Sequence, residues 1–347
     1  MNRAFPWHAA QWDQWCRAFR RARLGHGWIF SGRAGFGKFE FARACAETVL
    51  CESIKADALA CGQCRSCQLL RAGNHPDLRL VVPLEDAISI GIDQIRELGE
   101  FFSLTAHYGR AKIVIIRPAE LMQHAAANAL LKILEEPPAL GLLILVADAI
   151  DRLPPTIRSR CQRLRLDAID TSLAREWLAR EVPSEPAQLD AAFALGNRAP
   201  LAAQAAIDAD ITQSASRIEQ LMITVGSGRK HAVQAAQAVH DVAPTLLADC
   251  MLNQAHRFAL AQLGLAGLSE PQSSQSAPVE SLISALNHLH SWQVLAFAAR
   301  VLEVKTLIVS SANTRDADLL DQLWRTWMLA TRPAAGGHPR SQVQENS

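Results

Sequence analysis

The pattern of apolar and polar positions changes once along this chain, and the change divides it. Before residue 167, short and nearly continuous apolar runs recur at 28–30 (WIF), 78–82 (LRLVV), 112–116 (KIVII), 142–146 (LLILV) and 163–166 (RLRL). Runs of this length and β-branched content predict strands, several of them buried on both faces. Helical periodicity fills the gaps. It covers 10–23, with Trp12, Trp15 and Phe19 on one face, and 40–50 (EFARACAETVL). A further helix begins at 92–98 (IDQIREL), with Asp93 as its expected cap and Ile95, Leu98 and Phe102 together, and another spans 121–136 and is stopped by Pro137-Pro138. Strands alternating with helices predict an α/β fold: a parallel sheet with helices on both faces.

After residue 167 only the helical period survives. Short helices over 167–207 carry Trp177, Leu178, Leu189, Phe193 and Leu195 as anchors, with Gly196 as a stop. Further helices are expected at 246–263, 279–290, 292–310 and 316–330. A Ser/Gln/Pro-rich loop at 264–278 interrupts them, and a polar tail at 332–347 is expected to be disordered. The expected division is a core at 1–166 with a cysteine module at 51–67, a small helical domain at 167–207, an all-helical domain at 208–331 and the tail.

Composition narrows the class. The 347 residues exceed one ordinary domain, and 49% of them are hydrophobic, enough for sizeable cores. A formal net charge of +1 makes no demand for nucleic acid. The longest apolar run, 140–150, contains Gly141 and Asp148 and is too short to span a bilayer. With no leader-like apolar run at the start, a soluble cytoplasmic protein with no membrane partner is the expectation.

Two motifs carry chemistry. Gly32-Arg33-Ala34-Gly35-Phe36-Gly37-Lys38-Phe39 matches the phosphate-loop pattern G-x-x-x-x-G-K-[ST] except at its last position. A strand before it and a helix after it are the setting in which backbone N–H groups cradle phosphates. Gly32, Gly35, Gly37 and Lys38 are therefore the candidate phosphate contacts. Phe39 offers no hydroxyl for Mg²⁺, and Arg117-Pro118 stands after the third strand, where such ATPases place acidic residues. Glu120 comes too late and reads as the start of the next helix. Two metal-handling groups are missing, so no turnover is expected, and whether nucleotide still binds is left open. The second motif is Cys51, Cys61, Cys64 and Cys67, spaced C-x9-C-x2-C-x2-C. Four thiolates at this spacing suit a closed tetrahedral Zn²⁺ site of structural type. Cys16, Cys45, Cys161 and Cys250 read as small buried residues.

The ordered series HGWIFSGRAGFGK, the cysteine module, GNHPDL, IDQIREL, AAANALLKILEEPP and PPTIRSRC resembles the delta-prime family of bacterial DNA polymerase III clamp-loader subunits, which are of the AAA+ class. The resemblance covers about residues 5–170 and continues more weakly through Gly196-Asn197-Arg198-Ala199-Pro200. It implies an AAA+ core, a lid at 167–207 and a collar at 208–331 that holds a ring of subunits together. It implies a zinc site at the four cysteines and a degenerate phosphate loop. The residue after the fourth strand, where active relatives carry a polar sensor, is Ala147 or Asp148. Ser159-Arg160-Cys161 matches the family's Ser-Arg-Cys motif, whose arginine reaches the γ-phosphate of ATP on the neighbouring subunit. Arg160, with Ser159 beside it, is the implied trans finger, and Arg158 competes for the role. The implied partners are ATP-binding motor subunits, a clamp-opening subunit, the sliding clamp and primed DNA within the polymerase holoenzyme.

Two rivals are distinguishable in the residues. An active motor subunit would need a hydroxyl at position 39 and acidic residues at 117 and 118; Phe39, Arg117 and Pro118 stand there. A zinc-dependent DNA-binding module would need basic and aromatic residues around the cysteines; Lys55 and Arg65 are the basic ones there. His256, His288 and His290 have no metal-ligand companions in the sequence and read as surface or packing residues.

Overall fold

The apolar runs become five strands: β1 (Gly27–Ser31), β2 (Leu78–Val81), β3 (Lys112–Ile116), β4 (Gly141–Ala147) and β5 (Gln162–Arg165). The computed structural model describes residues 5–21, 24–85, 87–108, 110–196, 198–208, 211–263, 284, 286, 289–310 and 315–332. All strand pairs are parallel, in the order β2-β3-β4-β1-β5. Alternation along each strand sends its side chains into two cores. Trp28, Phe30, Ile113, Ile115, Leu142, Ile144 and Val146 face one side. Ile29, Val114, Ile116, Leu143, Leu145 and Ala147 face the other. This explains why the three central strands lack polar alternation: neither face meets water.

Helices α1 (Ala9–Arg20) and α2 (Lys38–Leu50) cover the first face with Trp12, Trp15, Phe41 and Cys45. Trp15 stacks on both Trp12 and Phe19, at 5.4 and 5.3 Å between ring centres. The short α3 (Arg65–Arg71) lies in the cysteine module. Helices α4 (Ile92–Ser103), α5 (His124–Glu135) and α6 (Pro155–Arg160) cover the second face through Ile95, Leu98, Leu130, Leu134 and Ile157. Helix α7 (Thr171–Glu181) follows the sheet. The expected end of α1 at residue 23 lies outside the described residues.

Two boundaries differ from the sequence expectation. Gly91, not Asp93, is the N-cap of α4: its N–H donates to Gln94 Oε1 at 3.2 Å, and Asp93 sits in the first turn. Helix α5 begins at His124 rather than at 121. Ile90 and Met122 form a parallel bridge that keeps the chain extended there, and Ala119–Leu121 forms a separate 3₁₀ turn.

Buried polar groups tie the cysteine module to the sheet. Ser66 Oγ donates to Leu50 O at 2.8 Å and lies 2.8 Å from His75 Nε2. The Asp77 N–H donates to His75 Nδ1, so His75 carries its proton on Nε2 and donates to Ser66. The buried Asp77 carboxylate accepts from the N–H groups of His107 and Tyr108 and pairs with Lys112 at 3.4 Å. The Ser66, His75, Asp77 and Lys112 side chains of this network are each partnered, which is what makes their burial tolerable.

His8 is the opposite case. It is wholly buried, with Nε2 3.2 Å from Leu166 O and Nδ1 without a partner. Burial holds its pKa down at about 4, against 6.5 for an ordinary histidine, with the Lys38 charge acting in the same direction. The unfolded chain therefore takes up this proton first as pH falls. Stability from this group is complete above 6.5 and is lost as pH falls toward about 4. We expect a total loss on the order of 3 kcal/mol. Chemical denaturation across that window checks it: the stability gap between wild type and His8→Phe should narrow as pH drops.

The chain divides into two compact units: residues 1–184 with 198–205, and residues 185–197 with 206–347. The first contains the sheet. The second contains α8 (Pro186–Leu195), α10 (Ile211–Gly226), α11 (Ala232–Ala238), α12 (Pro244–Gln262), α13 (Ser291–Ser310) and α14 (Asp316–Ala330), while α9 (Pro200–Asp208) begins in the first and ends in the second. Its core is helical, built on Met222, Leu247, Phe258, Phe297, Trp324 and Trp327. The Trp327 indole packs 4.8 Å from Phe297 and donates to Met222 O at 2.9 Å, so its polar tip is satisfied inside the core. The expected 264–278 loop, most of the expected 279–290 helix, His288 and the tail from 333 lie outside the described residues. No described helix is long and apolar enough to cross a membrane.

Candidate functional site

The glycine loop joins β1 to α2 at the carboxyl end of the sheet. Gly37 is the N-cap of α2, with φ +82°, and a Cβ there would meet the Phe5 ring at 2.5 Å. Gly35, at φ +79°, would meet Ala199 and Ala202, and its carbonyl accepts from Leu201 N–H at 3.1 Å. Both glycines are thus required twice, by backbone conformation and by close approach. Gly32 N–H donates to Ala147 O at 3.3 Å, and the next N–H, of Arg33, donates to Asp167 Oδ2 at 3.3 Å. Beneath the loop, Trp7 stacks on Phe5 and donates to Phe36 O, and Trp177 packs edge-on against both rings.

The lysine that would meet a phosphate is already engaged. Lys38 is 5% exposed; its Nζ donates to Arg33 O at 2.6 Å and lies 2.6 Å from Asp148 Oδ1. Asp148 follows β4 directly, so the residue after the fourth strand is a carboxylate that acts inside the chain. Glu120 is not a helix start; its Oε1 accepts from the N–H groups of Asp148 and Ala149 at 2.9 and 3.3 Å and fixes that turn. Phe39 carries the Arg117 guanidinium 3.8 Å from its ring centre. An aromatic face and a cation thus stand where the motif would otherwise place a hydroxyl and acidic groups. Removing the counter-ion strands a buried ammonium. Because Asp148 is 48% exposed, the cost is below that of a fully buried pair. Asp148→Ala should destabilise the first unit by about 1–3 kcal/mol, read from the urea midpoint.

The four cysteines converge. One sulfur from each of Cys51, Cys61, Cys64 and Cys67 lies within 4.8 Å of the others, and the Cys61 and Cys67 sulfurs are 3.9 Å apart. A tetrahedron with sulfur about 2.3 Å from its ion places sulfurs roughly 3.8 Å apart, so the group fits a metal. Backbone N–H groups already point at the sulfurs: Cys61 N to Cys51, Gln63 and Cys64 N to Cys61, Cys67 N to Cys64. The donors from Gln63 and Cys64 hold the Cys61 thiol down at about 6. Burial pushes Cys51 and Cys67 up, so a cation among them is what lets all four ionise together. The remaining cysteines are Cys16, Cys45 and Cys250, buried as expected, and Cys161, half-buried.

The Ser-Arg-Cys motif ends α6. Cys161 Sγ and Leu134 pack over Gly27 of β1, where a Cβ would meet each of them at 3.0 Å. That packing fixes where α6 stops. Ser159 is exposed and its Oγ donates to Thr156 O at 3.0 Å. Arg158 is drawn inward: Nη1 donates to Asp151 Oδ1 at 3.0 Å, Nε is buried without a partner, and its carbonyl accepts two bonds from Arg163. Arg160 is exposed, with Nη1 donating to Thr156 O at 3.0 Å and Nη2 2.7 Å from Glu135 Oε1. One feature of the second unit escaped the sequence reading. Trp292, Leu295 and Leu302 lie exposed along α13, opposite the buried Val294, Phe297, Val301 and Val304. A helix apolar on both sides was the signal.

The family model described as DNA polymerase III, delta subunit, matches residues 7–170. DNA polymerase III subunit delta' of Pseudomonas aeruginosa is 43% identical over 201 residues, 58% of this chain and 60% of that protein. The protein of the same name from Escherichia coli is 35% identical over 246 residues, 71% of this chain and 73% of that one. DNA polymerase III subunit tau/gamma of Haemophilus influenzae is 33% identical over 163 residues, 47% of this chain and 23% of that protein.

Proposed function

Because this chain belongs to the DNA polymerase III delta-prime family, we propose that it is a non-hydrolysing subunit of the sliding-clamp loader in DNA replication. In this reading it works in the cytoplasm, in a ring with ATP-binding motor paralogues and a clamp-opening subunit. It turns over no ATP itself. Arg160 completes the ATP site of an adjacent motor subunit, and the ring acts on the sliding clamp and primed DNA. Likeness to a tau/gamma subunit over 163 residues supports a paralogous ring partner.

The observation that carries this reading is the contrast between two cations. Lys38 is buried and spent on Asp148 and Arg33 O, whereas the Arg160 guanidinium faces solvent at the end of a short helix. An exposed planar fork suits a developing negative charge on another subunit. Arg158, tied to Asp151, is the weaker candidate. With Phe39 and Arg117 beside the loop, the hydroxyl and the acidic pair that would hold Mg²⁺ are replaced, and the Asp148 carboxylate at the loop is taken up by Lys38. The parallel sheet serves as the AAA+ core, residues 167–207 as the lid and 208–331 as the collar, where the exposed Trp292, Leu295 and Leu302 offer a face for partner helices. The cysteine cluster holds a structural Zn²⁺: four thiolates leave no open position for chemistry. Steady-state ATPase tests the proposal. The purified chain should be inert, and adding it to the motor paralogue and the clamp-opening subunit should raise clamp- and DNA-stimulated hydrolysis. Mg²⁺-dependent turnover by the chain alone would return it to the motor class.

A further inference from the structure

We infer that Glu135 is a positioning residue for Arg160, holding the guanidinium ready to meet the neighbouring subunit's phosphate. This rests on the reading of Arg160 as a finger acting in trans. Glu135 is the last residue of α5, and Arg160 the last of α6. The two helix ends are anchored from beneath by Leu134 and Ile157, which are buried in the same core. Glu135 Oε1 lies 2.7 Å from Arg160 Nη2, while Thr156 O takes a hydrogen bond from Nη1 at 3.0 Å.

A guanidinium has five N–H donors in a fixed plane. One on Nη1 is given to Thr156 O, and Nη2 stands in ion-pair contact with the Glu135 carboxylate. The Nε–H and one N–H on each terminal nitrogen stay open to a phosphate. Two holds on one rigid plane fix its direction, and a backbone carbonyl alone would leave it free to turn about that bond. An unrestrained arginine gives up rotamer freedom when it docks; one already clamped gives up less. Both side chains stay partly in water, 37% exposed for Arg160 and 51% for Glu135, so the hold is modest and the finger can shift toward a stronger anion. The open donors then meet the neighbour's phosphate with their orientation already set.

The test uses the reconstituted ring with motor paralogue and clamp-opening subunit, its assembly checked by gel filtration, and a double-mutant cycle on this chain. Glu135→Ala should lower single-turnover hydrolysis at the neighbouring site about two- to fivefold, the range of an exposed pair, with KM for ATP unchanged. Glu135→Gln, which keeps an acceptor oxygen at the same reach, should recover most of the loss. In an Arg160→Ala background, Glu135→Ala should change nothing further. If Glu135→Ala matches wild type or speeds turnover while Arg160→Ala slows it, the positioning role is wrong and the finger stands. If Glu135→Ala slows turnover equally with Arg160 present or absent, Glu135 acts elsewhere and the inference also fails. If Arg160→Ala itself has no effect, it is the finger reading that fails.

Discussion

Arg160→Ala should slow single-turnover hydrolysis at the adjoining motor site by about 10³-fold or more while the ring still assembles. The side chain is exposed and contributes nothing to either core, so its removal leaves the fold alone; its intramolecular partners are a carbonyl and the half-exposed Glu135. Arg160→Lys keeps the charge but not the planar fork and should rescue little. Arg158→Ala gives the contrast. It removes the bond to Asp151, costs stability of about 1 kcal/mol or less, and leaves hydrolysis near wild type.

Metal removal should have the largest effect on structure. Structural Zn²⁺ sites bind with about 10–16 kcal/mol of apparent free energy, much of which is folding energy. In this chain α3 has only seven residues, too few to hold helix alone, and it is pinned by Cys64 and Cys67 at one end and by Ser66 and Leu70 against the core. Chelation should release one zinc per chain and unfold residues 51–67. The sheet should survive, weakened on the side where Ser66 meets His75. Cys64→Ser should fail to retain zinc. Colorimetric zinc release followed alongside hydrogen exchange over the module checks both. Zinc should also be lost as acid protonates the thiolates.

Much of the first unit was legible because its constraints are local. A run such as KIVII has no polar alternation, and β3 is buried on both faces. The C-x2-C spacing brings Cys61 and Cys64 together, with Cys51 and Cys67 closing the group. What the sequence hid is pairing between residues far apart along it. Nothing near Lys38 announces that Asp148 is its counter-ion, because that pair exists only once β1 and β4 lie side by side. Arg117 read as a lost carboxylate; in the fold it is also a partner for Phe39, so two departures from the motif fit each other. Glu120 read as a helix start because helical periodicity follows it; the bridge between Ile90 and Met122 delays the helix and frees its carboxylate for the turn after β4. The loss of metal-handling groups was visible residue by residue, and their replacement by an internal network was not.

The measurement that bears most directly on the central claim compares Lys38→Met with Arg160→Ala in the same reconstituted ring. Lys38 stands in this chain's own loop and, in the proposed ring, Arg160 faces the neighbour, so each substitution asks whose ATP is being turned over. Single-turnover release of labelled γ-phosphate is followed at matched levels of assembly. The account predicts that Lys38→Met leaves the rate within about twofold of wild type, whereas Arg160→Ala lowers it by about 10³-fold at the affected site. A rate that collapses with Lys38→Met and survives Arg160→Ala would contradict the account, because the chain would then be hydrolysing ATP in its own loop.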